Sequence, residues 1–131
     1  MKKKLVFSWL LRVTAAVIML QTLYFKFTAE PESIYIFSKV GIEPWGRIAT
    51  GIAELIASIL LLVPATISIG AIMAIGIMTG AIITHLTILG VEVQGDGGQL
   101  FYYALTVFVF SLILVFMHYR QLFMFKKLLL K

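Results

Sequence analysis

The chain has 131 residues, of which 61% are hydrophobic and 13% charged, with a mean hydropathy of +1.04. Soluble domains are roughly half apolar and about a quarter charged, so this composition excludes a globular soluble fold and leaves an integral membrane protein with no room for a second domain. A net charge of +5 does not make it a nucleic-acid binder, because the lysines gather at the two chain ends, and the absence of cysteine excludes disulfides, thiolate metal ligation and any dithiol relay within the chain.

Four apolar segments approach the ~20 residues that cross a ~30 Å hydrocarbon core. They run over about 5–25, 46–63, 67–89 and 100–118. The expected fold is all-α: a four-transmembrane-helix bundle with a short amphipathic interfacial helix between helices 1 and 2, forming a single integral membrane domain over residues 1–131.

The first span opens on Lys2, Lys3 and Lys4. That start also fits a cleaved signal peptide, but Arg12 and Gln21 inside the run, and the lack of a small-x-small cleavage site, argue against one. Arg12 lies ~10 Å into the helix. Two fates are open to it: snorkelling to the near interface, or reaching inward to a carboxylate. Next comes Pro31 to Gly41, with proline suited to a first helical position and glycine to a C-terminal cap. Ile34, Phe37 and Val40 recur there at helical spacing, as in a helix lying in the outer interface. It is expected to cap the bundle, or to act as a lid over an outward-opening cavity.

Between Arg47 and Glu92 only Glu54 and His85 are ionisable. A carboxylate at the centre of a membrane helix costs roughly 2.5 to 3.5 kcal/mol on insertion scales. In the second span Arg47, Gly51, Glu54 and Ser58 share one helix face, which should turn to the bundle interior. Glu54 reads either as a ligand-binding or proton-carrying carboxyl or as a structural partner for a buried cation, and Arg12 is the candidate cation. The third span carries Gly70, Gly76, Gly80 and Thr84, and Gly76-x-x-x-Gly80 predicts close helix packing, with Gly51 as a further packing position. His85, near the outer end, reads as a hydrogen-bonded interface residue more readily than as a metal ligand, and no metal site is expected. Asp96, in the Gly95–Gly98 turn, is expected to cap the fourth span. With Lys26, Arg47 and His85 it could also line an outward-facing polar mouth.

The C-terminal Phe123, Phe125 and Leu128 to Leu130, mixed with Lys126 and Lys127, make a basic amphipathic tail suited to the cytoplasmic leaflet. The Lys and Arg bias places both termini in the cytoplasm. Aromatic residues gather near the two interfaces as an ordinary belt. No phosphate loop, dinucleotide fingerprint, nucleophile elbow or haem-type histidine pair is present, and no catalytic residue is identifiable.

The stretch from Val40 to Pro64, the glycine-rich third span ending in Thr84-His85-Leu86, Arg12, and Lys26 just after the first span resemble the DoxX family, over about Leu11 to Arg120. The resemblance implies a small four-helix inner-membrane protein of bacteria or archaea. The family is named from a subunit of an archaeal quinol oxidase linked to thiosulfate oxidation, and other members accompany membrane redox or detoxifying complexes. Arg12, Lys26, Arg47, Glu54 and His85 match its polar positions. The resemblance implies an auxiliary, non-catalytic subunit of a quinone-linked redox assembly, with quinone as the cofactor to test. The alternatives are a small-molecule or lipid binder or transporter, and a structural scaffold. Expected partners are the lipid bilayer and a redox enzyme, with homo-oligomerisation open.

Overall fold

The computed structural model describes residues 2–130, and among these there are helices and connecting turns but no strand. Helix α1 spans Lys2–Phe27, α2 Pro31–Val40, α3 Trp45–Leu62, α4 Ile67–Thr84, α5 Gln99–Met117 and α6 Tyr119–Leu129. A 3₁₀ turn, Pro64–Thr66, leads into α4, and a π-turn, His85–Leu89, prolongs it. Four helical stretches are long and apolar enough to cross a membrane: α1, α3, Pro64–Leu89 and α5.

The short helix behaves as its sequence predicts. Pro31 occupies the first turn, and Gly41 ends the helix in the left-handed conformation (φ 89°), donating to the carbonyls of Phe37 and Ser38. Glu32 in its first turn and Lys39 in its last complement the helix dipole.

The spans close into a ring in the order α1, α3, α4, α5, with α5 returning against α1. Their seam is built of small and flexible residues: Ala15, Ala57, Ala71 and Ala74 are fully buried, beside Met19, Leu61, Val107 and Leu114. Lipid offers no hydrophobic drive between spans, so close van der Waals packing over small side chains must hold them. Large apolar side chains such as Val17, Ile59, Ile72 and Phe116 face outward, where a bilayer would solvate them. Helix α6 buries none of its residues and carries Arg120, Lys126 and Lys127 beside exposed Phe123, Met124, Leu128 and Leu129.

The glycine expected to pack helices is not the one that does. A Cβ on Gly70 would lie 2.8 Å from the Leu61 nitrogen and 3.0 Å from the Ala57 carbonyl oxygen, so α3 and α4 touch backbone to backbone near their hairpin. A Cβ on Gly51 would meet the Phe27 ring at 2.7 Å, as expected of a packing position. Gly76 and Gly80 correct the sequence expectation: a Cβ on either meets nothing within 4 Å. Helices α3 and α4 are thus drawn together at the hairpin, while open space lies beside the other half of α4. Gly70→Ala is therefore expected to lower stability by about 1 to 3 kcal/mol through overpacking. Gly76→Ala and Gly80→Ala should be neutral or stabilising by up to about 1 kcal/mol from helix propensity. Thermal unfolding of the three variants in detergent would reverse this assignment if Gly76→Ala melted lowest.

The basic end of the bundle is tied by a polar lock. Arg12, 1% exposed, donates from Nε to the Leu61 carbonyl at 2.6 Å and from Nη2 to the Leu62 carbonyl at 3.0 Å. Its guanidinium lies 3.6 Å from the Trp9 ring centroid. The last carbonyls of a helix have no partner within it, and a cation there also opposes the negative end of the dipole. Arg12 extends toward the basic end as snorkelling would take it, yet it ends on protein carbonyls. It does not pair with Glu54, which corrects that expectation. Ser8 Oγ hydrogen-bonds His118 Nε2 at 2.8 Å, and Ser68 Oγ donates to the His118 carbonyl. Gln121 accepts from the Ser68 nitrogen at 3.0 Å and donates to the Pro64 carbonyl at 2.7 Å. Burial, with the charges of Arg12 and Lys4, holds the His118 imidazole below its ordinary range.

Candidate functional site

At the end away from the lysine flanks the bundle holds a cavity of about 710 Å³. All four spans contribute to its wall, and α2 lies across it through Glu32, Ser33, Ile36, Phe37 and Val40. Most of the lining is aliphatic or aromatic, including Ile18, Phe25, Ile42, Ile77, Met78 and Leu89. The polar groups stand out against that background.

Glu54, 3% exposed, pairs with Lys26: Nζ lies 2.8 Å from Oε1. Thr22 completes the group. Its Oγ1 accepts from Lys26 Nζ at 3.1 Å and has one proton to give, to the Met19 carbonyl at 2.8 Å or to Glu54 Oε2 at 3.2 Å. Thr22 and Lys26 are four residues apart on α1 and so share a face. Ser58, one turn beyond Glu54, donates to the Glu54 carbonyl at 2.8 Å. The stripe Arg47, Gly51, Glu54 and Ser58 is buried along its whole length.

The choice of Lys26 over Arg12 follows from side-chain direction. On α1 the two cations are 14 residues apart, or ~21 Å along the axis, and Glu54 on antiparallel α3 falls between them in height. Every Cα–Cβ bond leans toward its own helix N-terminus. Glu54 therefore leans toward the start of α3, and Lys26 leans down α1 toward it. Arg12 leans the same way along α1, which from its position is away from Glu54 and onto the end of α3.

Arg47 makes the corresponding contact at the other end of α1. Its Nη1 donates to the Lys26 carbonyl in the last turn of that helix, and its Nε reaches Glu43 Oε1 at 2.9 Å and Oε2 at 3.1 Å. Each of the two buried arginines thus ends on the terminal carbonyls of a neighbouring helix.

His85, 6% exposed, sits at the start of the π-turn. The Gly90 nitrogen donates to the His85 carbonyl at 2.7 Å, and His85 Nδ1 lies 3.0 Å from the Gly90 carbonyl oxygen. The Phe101 ring abuts the imidazole edge-on, with centroids 5.7 Å apart. Single π-turns inside helices recur at functional sites.

Four residues were expected at the polar mouth. Lys26 and His85 line the cavity, while Arg47 and Asp96 lie outside its lining. Asp96 instead folds its own loop, accepting from the nitrogens of Val93 at 3.0 Å, Gly98 at 2.8 Å and Leu100 at 3.4 Å. The last of these is a long contact with the first turn of α5, whose N-cap position is taken by Gly98. Burial alone would raise the Asp96 carboxyl, but the three N–H donors and the nearby His85 hold it below the usual carboxylate range. Glu54 and His85, which the sequence leaves as separate sites, line one cavity. Sequence reasoning missed Thr22, Glu43 and the lining residues Glu32 and Ser33. The only available signal was the four-residue spacing of Thr22 from Lys26 and of Glu43 from Arg47. Among the described residues no group of three or more His, Asp or Glu side chains could hold a metal ion.

A model of the DoxX-like family matches residues 10–116, a stretch that takes in all four spans and the cavity-lining side chains. No curated protein matches the chain, and no solved structure does.

Proposed function

This chain belongs to the DoxX-like family, and on that premise we propose that it is a membrane-embedded binding subunit of a quinone-linked redox assembly, receiving the ring head of a quinone-class molecule in the cavity beside Lys26 and Glu54. The observation that carries this reading is a buried ion pair set into the wall of an otherwise apolar cavity of about 710 Å³. Ligand sites typically span roughly 300 to 1,000 Å³ and combine apolar walls with a few convergent polar groups. Lys26 supplies a donor to a ring oxygen, and Glu54 and Thr22 form a short hydrogen-bonded group able to hold or pass a proton. The apolar lining suits a lipid-soluble body. In this reading the membrane is the prokaryotic inner membrane that the family resemblance implies, the basic end with Lys2 to Lys4 and α6 faces the cytoplasm, as the Lys and Arg bias favours, and the cavity belongs to the outer half.

The position of α2 across the cavity favours a second reading, a binder or transporter of a small lipid-like molecule. Native mass spectrometry of the protein purified from quinone-containing membranes tests the first. Bound quinone is expected, and Glu54→Gln is expected to weaken its binding about tenfold, the loss of one charge-assisted hydrogen bond. If the folded wild type retains no quinone and Glu54→Gln leaves the redox phenotype of the host intact, the reading falls. Uptake of a labelled lipid into vesicles carrying the protein would then support the second.

A further inference from the structure

We propose that the α4 side of the cavity, formed by His85 with Gly76 and Gly80, receives a neutral molecule through a hydroxyl or N–H that donates to His85 Nε2. This rests on the cavity being a ligand site, and within the quinone class it selects the hydroxyl-bearing form.

The argument begins at the π-turn. His85 Nδ1 lies 3.0 Å from the Gly90 carbonyl oxygen. A carbonyl oxygen only accepts, so the proton of the neutral imidazole belongs on Nδ1. That leaves Nε2 as a lone-pair acceptor. It has no hydrogen-bond partner among the described residues, although His85 is only 6% exposed and lines the cavity. Nε2 is not sealed inside the protein, since the buried side-chain polar atom left without a partner among the described residues is Ser111 Oγ; it belongs to the cavity wall, where a donor brought by the occupant gains a hydrogen bond that no residue supplies. The ring cannot easily turn away, because the turn closes on the His85 carbonyl and Phe101 abuts the imidazole.

The two glycines supply room. Gly76 and Gly80 line the cavity, and a Cβ on either would meet nothing within 4 Å. Side chains at these positions would take up that space, so glycine there keeps the α4 wall of the cavity open. Charge sets the remaining limit. The ionised side chains of the lining are Lys26 against Glu32 and Glu54, and Lys26 is already paired. No unpaired cation is left in the lining to meet an anion, which favours a neutral occupant.

The test uses three probes of one shape: 4-octylphenol, its methyl ether, and 4-octylbenzoate, competed on the detergent-purified full chain at pH 8 and read by native mass spectrometry. The phenol is expected to bind about five- to tenfold more tightly than the ether, as the net effect of one hydrogen bond, and the benzoate more weakly than either. His85→Phe should abolish the preference of phenol over ether while both still bind. Gly76→Leu should weaken both alike. Equal binding of phenol and ether by the wild type, which needs no variant to fold, overturns the proposal. So does a preference that survives His85→Phe, and benzoate binding as tight as phenol overturns the neutral-occupant claim. If both neutral probes bind equally and Gly76→Leu expels them, the cavity remains a ligand site and only the role of His85 fails. If the folded wild type binds none of the three, the cavity reading fails and this inference with it.

Discussion

Lys26→Met is expected to destabilise the protein by about 3 kcal/mol, because it leaves the Glu54 carboxylate without its cation in a site where little water can replace it. The pair is well shielded, with side-chain exposures of 14% for Lys26 and 4% for Glu54. Breaking a buried pair from one side costs far more than removing both charges. Lys26→Met combined with Glu54→Leu should therefore recover most of the loss. The contacting residues are expected to be strongly non-additive, with a coupling of about 2 kcal/mol in a double-mutant cycle. Unfolding the four proteins by a denaturing detergent titration measures this directly. A double variant that is no better than Lys26→Met would mean that the pair is not what holds α1 and α3 together at this end. The double variant also separates folding from binding: if it folds well yet binds no quinone, the charges serve the ligand more than the fold.

Arg12→Met is expected to cost about 2 to 4 kcal/mol by a different route. It strips the buried Leu61 carbonyl and the half-buried Leu62 carbonyl of their donors and removes the stacking over Trp9. Arg12→Lys should recover less than half of the loss. A single ammonium cannot serve both carbonyls as the planar guanidinium fork does, nor stack as well on the indole. The decisive comparison is the double variant Arg12→Met with Glu54→Leu. Were Arg12 the partner of Glu54, the second change would rescue the first. In this structure the two side chains act at different heights, so their effects should add to within about 0.5 kcal/mol. Rescue by Glu54→Leu would overturn the assignment.

These two cases show where reading the sequence alone reaches its limit. That Glu54 turns inward was legible, because lipid cannot solvate it and its neighbours at three- and four-residue spacing define the face, whereas Arg12 was open to snorkelling as well as to reaching inward. Which residue meets which was not legible. Partnership depends on the relative heights of antiparallel helices and on the lean of each Cα–Cβ bond, and neither is visible until the helices are docked. Gly76-x-x-x-Gly80 failed for a related reason. A glycine pair permits close approach but does not require it, and the contact went to Gly70, next to the hairpin where Pro64–Thr66 holds α3 and α4 together.

By itself the sequence determined the membrane character, the four helices long and apolar enough to span, and the short helix that Pro31 opens and Gly41 ends. Each of these is a local property: hydropathy over ~20 residues, or a proline and a glycine at the ends of one short run. The same local reading singled out Glu54 and His85 as polar exceptions. Only the tertiary structure decided that the two line one cavity, that Lys26 and Thr22 surround the carboxylate, and that Arg12 caps α3. It also decided that His85 opens a π-turn leaving Nε2 without a partner. Those outcomes depend on where separate helices approach one another and where they part, and a polar side chain far from water takes whichever partner that packing brings within reach.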